Sequence, residues 1–188
     1  MARAKSPEKR EAILAASVEV IAKYGLEAPT SKIAQEAGIA EGTLFTYFEN
    51  KDVLLNELYL DLKRDVYSGI NEGFPKDSTL EQQARHVWER YLIWVMDAPL
   101  KRKVSAKLYL SDRITAEARE EASRNRETLE TMLRKIANQN NRKGLTAEFV
   151  SQLMSAMEDA TVEFVAKHPK ERKQAIATGF EAFWRAVG

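Results

Sequence analysis

Side chains that donate hydrogen bonds to anions are concentrated between residues 43 and 51 of this 188-residue chain. They comprise two hydroxyls, a phenol and an ammonium group, supplied by Thr43, Thr46, Tyr47 and Lys51. Two glycines, Gly38 and Gly42, come just before them. A segment that had only to pack would not need so many exposed donors, so the pattern predicts a surface that binds an anion such as a phosphate.

A helix, a tight turn and a second helix would position these donors. Two short helices that cross steeply need small residues at the crossing and a turn residue that tolerates a left-handed conformation. Ala34, Ala37 and Gly38 meet both needs. The expected core of this motif, packed against the first helix of the chain, consists of Ile33, Ile39, Leu44 and Phe48.

The second helix of the motif, expected at about residues 40–48, is predicted to enter the major groove of DNA, which is wide enough for a helix. Its outward residues are expected to be Ala40, Glu41, Thr43, Phe45, Thr46 and Tyr47. Gly42 would let the backbone approach the groove without an intervening side chain. Lys51 begins the next helix, where its ammonium group and the unpaired N–H groups favour a DNA phosphate. The alternative is a helical corner that only packs, which would explain the small residues but not the donors.

Apolar residues recur at intervals of three and four along nearly the whole chain, which predicts an all-α fold of about nine helices. The expected ranges are about 6–24, 30–37, 40–48, 51–71, 79–97, 100–110, 115–140, 146–167 and 169–187. Ser6, Thr30 and Asn50 are the expected N-terminal caps of the first, second and fourth helices. Residues 1–50 are predicted to form a three-helix DNA-binding head, and residues 51–188 a larger body for ligand binding and dimerisation.

The composition restricts where an anion can bind. Hydrophobic residues make up 44% of the chain and charged residues 30%, but the net charge is only +1, so any basic surface must be local. The clearest basic stretch is an N-terminal arm with Arg3, Lys5, Lys9 and Arg10.

Cysteine is absent, which suits a reducing cytoplasm. The longest apolar run, residues 91–96, is far shorter than the roughly 20 residues of a membrane span, and the polar start of the chain is unlike a signal peptide. We therefore expect a soluble, cytoplasmic protein with no membrane partner.

A short recognition helix contacts few base pairs, so DNA binding is expected to need two copies of the chain about 34 Å apart. The last two predicted helices are apolar around too much of their circumference for helices with one face in water. The predicted homodimer interface consists of Met157, Phe164, Phe180, Phe183 and Trp184. The alternative is that these residues form the core of the monomer.

Aromatic residues with polar groups predict a site for a small flat molecule in the body. The candidate ligand-binding residues are Tyr59, Lys63, Trp88 and Tyr91. Lys63 would favour an anionic ligand, or a cationic one only if a carboxylate such as Glu158 joined it. Because aromatic residues at helical spacing are often plain core, that interpretation stays open.

Two other classes of function are weaker. His86 and His168 belong to no metal-ligand pattern, and no nucleotide-binding glycine motif is present, so we expect no enzyme, no metal and no cofactor. Glu158 and Asp159 are adjacent carboxylates, for which solvation or an ion pair between subunits is a simpler explanation than catalysis. A helical module that binds an acidic partner through residues 101–103 and Lys107 would leave residues 34–51 unexplained.

The segments IAQEAGI (33–39), GTLF (42–45), YF (47–48) and NKD (50–52) resemble the signature of the TetR family of bacterial transcriptional regulators. The resemblance covers about residues 10–60, and the aromatic body is similar to multidrug-sensing branches of the family. It implies a repressor that binds a palindromic operator as a dimer of four-helix-bundle type. A small molecule in the body is expected to release the operator by favouring a spacing of the two heads that no longer fits it.

The resemblance also implies roles for single residues. Phosphate contacts are implied for Thr30, Ser31, Thr43, Tyr47 and Lys51, and contacts with base edges for Glu41, Gly42 and Phe45. Phe45 stands where a tyrosine is common in the family, so an apolar contact, for example with a thymine methyl, replaces a hydroxyl. Glu41 could help only by accepting a hydrogen bond from a cytosine amine.

Overall fold

The computed structural model describes residues 6–139 and 145–188, and these residues form ten α-helices and no β-strand. The predicted all-α class is therefore confirmed. The helices are α1 (Pro7–Tyr24), α2 (Thr30–Glu36), α3 (Glu41–Tyr47), α4 (Lys51–Asn71), α5 (Leu80–Asp97), α6 (Pro99–Tyr109), α7 (Ala116–Arg124), α8 (Glu127–Gln139), α9 (Ala147–Lys167) and α10 (Arg172–Val187). A single 3-10 turn, Pro169–Glu171, precedes α10. Arg3 and Lys5 of the predicted basic arm lie outside the described residues.

Helix caps show which local predictions were right. The Ser6 side chain accepts a hydrogen bond from the N–H of Lys9, and Pro7 occupies the first position of α1, as predicted. Asn50 accepts from the N–H of Val53 at 2.9 Å and caps α4, also as predicted. The prediction for Thr30 was wrong, because Pro29 is the residue that precedes α2 and Thr30 is already helical.

The helix predicted at 115–140 is two helices, α7 and α8, separated at residues 125–126. Its apolar positions follow one helical period, but they serve two different cores. Ala118 and Ala122 of α7 pack with the first core of the molecule, whereas Met132 and Ile136 of α8 pack with the second. The period alone could not reveal that division.

The chain divides into two compact units, which do not coincide with a boundary at residue 50. Unit 1 contains residues 1–65 and 98–123, and unit 2 contains residues 66–97 and 124–188. The boundary that we predicted at residue 50 is a functional one, between a DNA-binding part and a part for ligand binding and dimerisation. It stays a prediction. In the described ranges, no helix has both the length and the hydropathy needed to cross a membrane.

The core of unit 1 joins the head to helices much later in the chain. Ile33, Leu44 and Phe48 are buried, with Ile39 packed against them, as predicted. The same core includes Val104 and Leu108 of α6 and the helices α1 and α4. The head is therefore built on α6 as well as on its own three helices.

The core of unit 2 is centred on aromatic side chains from α5 and α10. Trp88 stacks on Phe183 with ring centroids 6.0 Å apart, and its indole N–H donates to the carbonyl of Ile176 at 2.9 Å. Gly179 makes this approach possible, because a Cβ there would lie 2.6 Å from Oγ1 of Thr161 and 2.8 Å from the Trp88 ring. Burial of these rings stabilises the packing of α5, α9 and α10.

Candidate nucleic-acid interface

The turn between α2 and α3 has the geometry that the small residues predict. Gly38 has a φ of 67°, a left-handed conformation that side chains other than glycine rarely adopt. The N–H of Ile39 donates to the carbonyl of Ala34 at 2.9 Å and closes the turn. Ala34 of α2 and Leu44 of α3 are buried in the same core, so each helix holds one face against it.

The opposite face of α3 is accessible. Leu44 is fully buried, whereas Phe45, one residue later, has 42% of its surface exposed. Among the predicted DNA-binding residues, the exposed ones are Ser31, Ala40, Glu41, Gly42 and Phe45. The half-buried ones are Thr30, Thr43, Tyr47 and Lys51. None of the nine is enclosed; they lie on α3, at the residue before it, and at the starts of α2 and α4.

Gly42 differs from Gly38 in that the fold does not require it. Its φ is not in the left-handed region, and a Cβ built on it would meet nothing within 4 Å. Glycine in a helix costs about 0.5–1 kcal/mol relative to alanine. An exposed glycine in the first turn of α3 is therefore unfavourable for the fold, and its presence is explained if another molecule approaches the backbone there.

The hydroxyl of Tyr47 is oriented by the start of α1. It accepts a hydrogen bond from the backbone N–H of Ser6 at 3.1 Å. A phenol can both accept and donate, so its own proton stays available for an acceptor such as a phosphate oxygen. The contact also joins the start of α1 to the end of α3.

Lys51 begins α4 beside several charged groups. Partial burial lowers the pKa of its ammonium group, and the positive charge of Arg113 lowers it further, whereas Glu27 and Asp52 act in the opposite direction. An anion near Lys51 would favour the charged form and so offset both effects. The N-terminal end of the 21-residue helix α4 adds the favourable field of the helix dipole.

Thr30 and Glu41 are joined by a hydrogen bond that the sequence did not predict. Oγ1 of Thr30 donates to Oε1 of Glu41 at 2.6 Å. An ionised carboxylate has no proton to donate, so the hydroxyl is the donor. While this bond exists, the Thr30 hydroxyl has no proton left for a phosphate, and the phosphate role implied for Thr30 conflicts with this geometry.

Sequence reasoning also missed Asn56 and Arg113, which fasten the loop between α6 and α7 to α4. Asn56 donates to the carbonyl of Arg113 and accepts from the N–H of Thr115, both at 2.9 Å. Nε of Arg113 donates to Asp52 at 2.6 Å, and its Nη1 donates to Glu27 at 3.2 Å. Hydrogen bonding to Asp52 is the main cause of the raised pKa of Arg113. These pairs are far apart in the sequence, so no local pattern could have revealed them.

The predicted ligand-binding residues are divided between the two units. Tyr59 and Lys63 belong to unit 1, where the Lys63 ammonium lies 5.4 Å from the ring centre of Tyr59 and 5.5 Å from that of Tyr109. Trp88 and Tyr91 belong to unit 2. Trp88 is fully buried in the core, and Tyr91 is half-buried and stacks on Trp94 with centroids 6.5 Å apart.

The predicted dimer residues differ in how much surface they offer. Phe164 is 42% exposed, and Met157 and Trp184 are half-buried. Phe180 and Phe183 are 0% exposed and lie in the core of unit 2, so they have no surface to offer a second copy. These two residues therefore lie in the core of the protomer, which was the alternative to a place in the dimer interface.

Glu158 is a carboxylate in the buried face of α9. Only 5% of its surface is exposed, and the neighbours on the same face are Val150, Met154, Thr161 and Val165. Burial raises its pKa well above the ordinary value, and the charge of Asp159 raises it further. The group is therefore more easily protonated than an ordinary glutamate.

The histidines have separate structural surroundings within the described residues. Nε2 of His86 lies 2.8 Å from the carbonyl of Ile70, and its ring packs edge-on against Phe74. His168 follows α9 and lies beside Phe164 and Glu171. Lys101, from the basic cluster that suggested an acidic partner, pairs with Asp65 at 2.8 Å.

Comparison with known proteins supports the interpretation of the head. Residues 13–58 match the model of the bacterial regulatory proteins of the tetR family, a range that covers most of α1, all of α2 and α3 and the start of α4. The Fatty acid metabolism regulator protein of Bacillus subtilis is 35% identical over 72 residues, which are 38% of this chain. The match spans only 37% of that relative's length.

Solved structures extend the similarity to the whole fold. A transcription regulator from Shewanella sp. PV-4 assigned to the tetR family has a TM-score of 0.80 and 25% identity, over 95% of this chain and 97% of that one. The transcriptional regulator FadR from Bacillus subtilis, solved with stearoyl-CoA, has a TM-score of 0.70 and 21% identity, over 95% and 97%. The family consists of DNA-binding transcription regulators and not of enzymes. The family model matches the segment that carries α2, α3 and the start of α4, and over residues 13–58 the chain is similar to the tetR family of bacterial regulatory proteins.

Proposed function

We propose that this chain represses transcription by binding a palindromic operator as a homodimer, with α3 of each copy in the major groove. The observation that carries the proposal is Gly42, an exposed glycine in a helix whose fold leaves space for a side chain. Beside it, Phe45 is exposed and Thr43 is half-buried. The start of α3 is therefore narrow enough to enter the major groove of DNA, which admits an α-helix.

Phosphate binding would come from a few local donors. Tyr47 donates its phenolic proton, and Lys51 supplies a charge at the start of α4. Because the chain as a whole is nearly neutral, its affinity for DNA is expected to depend on these contacts and to fall with salt in proportion to the number of phosphates neutralised. A protein with a general basic field would show a steeper dependence.

A gel-shift titration with the DNA upstream of the chain's own gene tests the proposal. Lys51→Ala and Tyr47→Phe are expected to weaken binding to all duplexes about equally, and Lys51→Ala also to make the salt dependence shallower by about one unit of slope. Lys135→Ala, an exposed lysine on α8, is the matched control. Unchanged affinity in both interface variants would contradict the assignment of the phosphate contacts.

We also propose that the dimer forms through α9 and α10. Phe149 and Phe164 are exposed apolar residues on α9, and Met157 and Trp184 are half-buried. Exposed aromatic residues of this kind are typical of protein interfaces. Phe164→Glu is expected to give a monomer in sedimentation at micromolar concentration, whereas Ile93→Glu, on α5 and also 42% exposed in wild type, should stay a dimer. A wild-type monomer would contradict this part of the proposal.

A small molecule is proposed to release the DNA by binding the body more tightly in a state that does not fit the operator. The proposed contacts that lie together in one unit are Tyr59 and Lys63 of unit 1, and Lys63 favours an anionic group. Stearoyl-CoA is the probe of choice, since the similar FadR was solved with it. It is expected to weaken operator binding by wild type, and less so by Lys63→Ala. Binding that leaves operator affinity constant would contradict this mechanism. Because the proposed target is bacterial DNA, we expect the protein in the cytoplasm.

A further inference from the structure

We propose that Glu41 selects a C·G base pair in the operator and that Thr30 is the positioning residue for its carboxylate. The inference rests on the proposed insertion of α3 into the major groove. It assigns the Thr30 hydroxyl to sequence recognition, instead of to the DNA backbone.

The hydrogen bond between Thr30 and Glu41 connects the first residues of two helices. Thr30 begins α2, Glu41 begins α3, and the two oxygens are 2.6 Å apart. Threonine has restricted rotamers in a helix, so its hydroxyl is a well-placed anchor. A glutamate on an exposed surface would otherwise sample many rotamers, and the bond reduces the freedom that it must lose on binding DNA.

The bond occupies only part of the carboxylate. Thr30 donates to Oε1, and a carboxylate has about four lone-pair positions on its two oxygens. Oε2 of Glu41 is therefore able to accept a second hydrogen bond. Glu41 is exposed at the end of α3 that the proposed function places in the groove.

Charge and hydrogen bonding restrict what Glu41 can contact. A carboxylate is repelled by phosphates and can only accept hydrogen bonds. In the major groove only cytosine and adenine present amino groups, and the adenine amine lies beside the N7 acceptor, which repels a carboxylate. The cytosine N4 amine has no such neighbour on its own base, so cytosine is the favoured partner.

Phe45 indicates that this side of α3 is the recognition surface. It lies one helical turn after Glu41, which places both side chains on the same face. Its exposed ring has no charge and would contact a thymine methyl or the apolar edge of a pyrimidine next to the selected base pair. An acceptor followed by an apolar contact predicts a pyrimidine-rich strand in each half-site.

The test begins with selection of duplexes from a randomised pool by wild-type protein. In the enriched site, each C·G pair is then replaced by T·A, which exchanges the amine donor for an acceptor. At one C·G pair per half-site, the replacement is expected to weaken wild-type binding about 5- to 100-fold, and Glu41→Ala is expected to bind both duplexes about equally. Thr30→Val should lose most of the discrimination at the same pair, Thr30→Ser should restore it, and Thr131→Val on α8 should behave as wild type.

Each unfavourable result has a separate meaning. If no sequence is enriched, the proposed DNA binding itself is contradicted. If a site is enriched but Glu41→Ala keeps the wild-type preference at every base pair, the selection role of Glu41 is wrong. A uniform loss of affinity in Thr30→Val, with discrimination retained, would show that Thr30 contacts a phosphate and does not position Glu41.

Discussion

Replacing Gly42 by alanine is expected to raise the stability of the fold and to lower the affinity for DNA. In the free protein, the added methyl group would have no atom within 4 Å, and the position is helical. Alanine should therefore stabilise the chain by about 0.5–1 kcal/mol. For a protein of this size, that corresponds to a rise in Tm of about 1–4 °C.

The same methyl group should weaken DNA binding if the backbone of α3 approaches the base edges. Inserting a methyl group into a close-packed contact costs about 1–3 kcal/mol, and a dimer carries two such contacts. A total of about 2–6 kcal/mol corresponds to at least a thirtyfold loss of operator affinity. Gly42→Ala would then be more stable than wild type and defective in binding.

Thermal unfolding and fluorescence anisotropy with a labelled operator measure the two effects. Gly69→Ala is the matched control, because Gly69 also lies in a helix with nothing within 4 Å of its missing Cβ, and it is outside the proposed interface. It should gain stability and keep wild-type affinity. If Gly42→Ala binds the operator as tightly as wild type, the backbone at Gly42 does not approach the DNA, and the observation on which the proposed function depends is lost.

Three further changes test the packing. The raised folded-state pKa of Glu158 means that its contribution to stability is full below the ordinary glutamate pKa and is lost as pH rises through the folded value. Glu158→Gln should therefore resist urea better than wild type at pH 8, with a difference that shrinks at pH 4; an equal difference at both would contradict the buried charge. Gly179→Ala should lose about 1–3 kcal/mol in urea unfolding, because its Cβ would overlap Thr161 and the Trp88 ring, and unchanged stability would show that these helices can separate without cost. Asn56→Ala should lose about 1–3 kcal/mol by the same measurement, since its side chain bonds both sides of the loop between α6 and α7; a change below about 0.5 kcal/mol would contradict this role for the loop.

Features set by neighbouring residues were predictable from the sequence. The caps at Ser6 and Asn50 depend on an N–H three residues later, and the turn at Gly38 depends on one left-handed residue. The small core of the head was also predictable, because the helical period indicates which apolar residues of each short helix face inward. These predictions needed no knowledge of the rest of the fold.

Features set by distant partners were not predictable. Thr30 looks like a cap because threonine suits that position, but its hydroxyl bonds Glu41, 11 residues away. The break between α7 and α8 arises because adjacent segments pack on different cores. Phe180 and Phe183 have the apolar character of an interface. They are instead covered within the protomer, because the ring of Trp88 on α5 packs against both of them.

The first core of this protein is discontinuous in the sequence, and this affects the order in which the chain can fold on the ribosome. Residues 1–65 leave the exit tunnel first, but Val104 and Leu108, which complete their core, are synthesised only after the intervening segment 66–97. Until then the nascent head exposes the apolar side chains that α6 will cover. A polypeptide of residues 1–50 alone would leave the same apolar side chains uncovered, so we expect α1, α2 and α3 to form no stable unit when they are separated from α6.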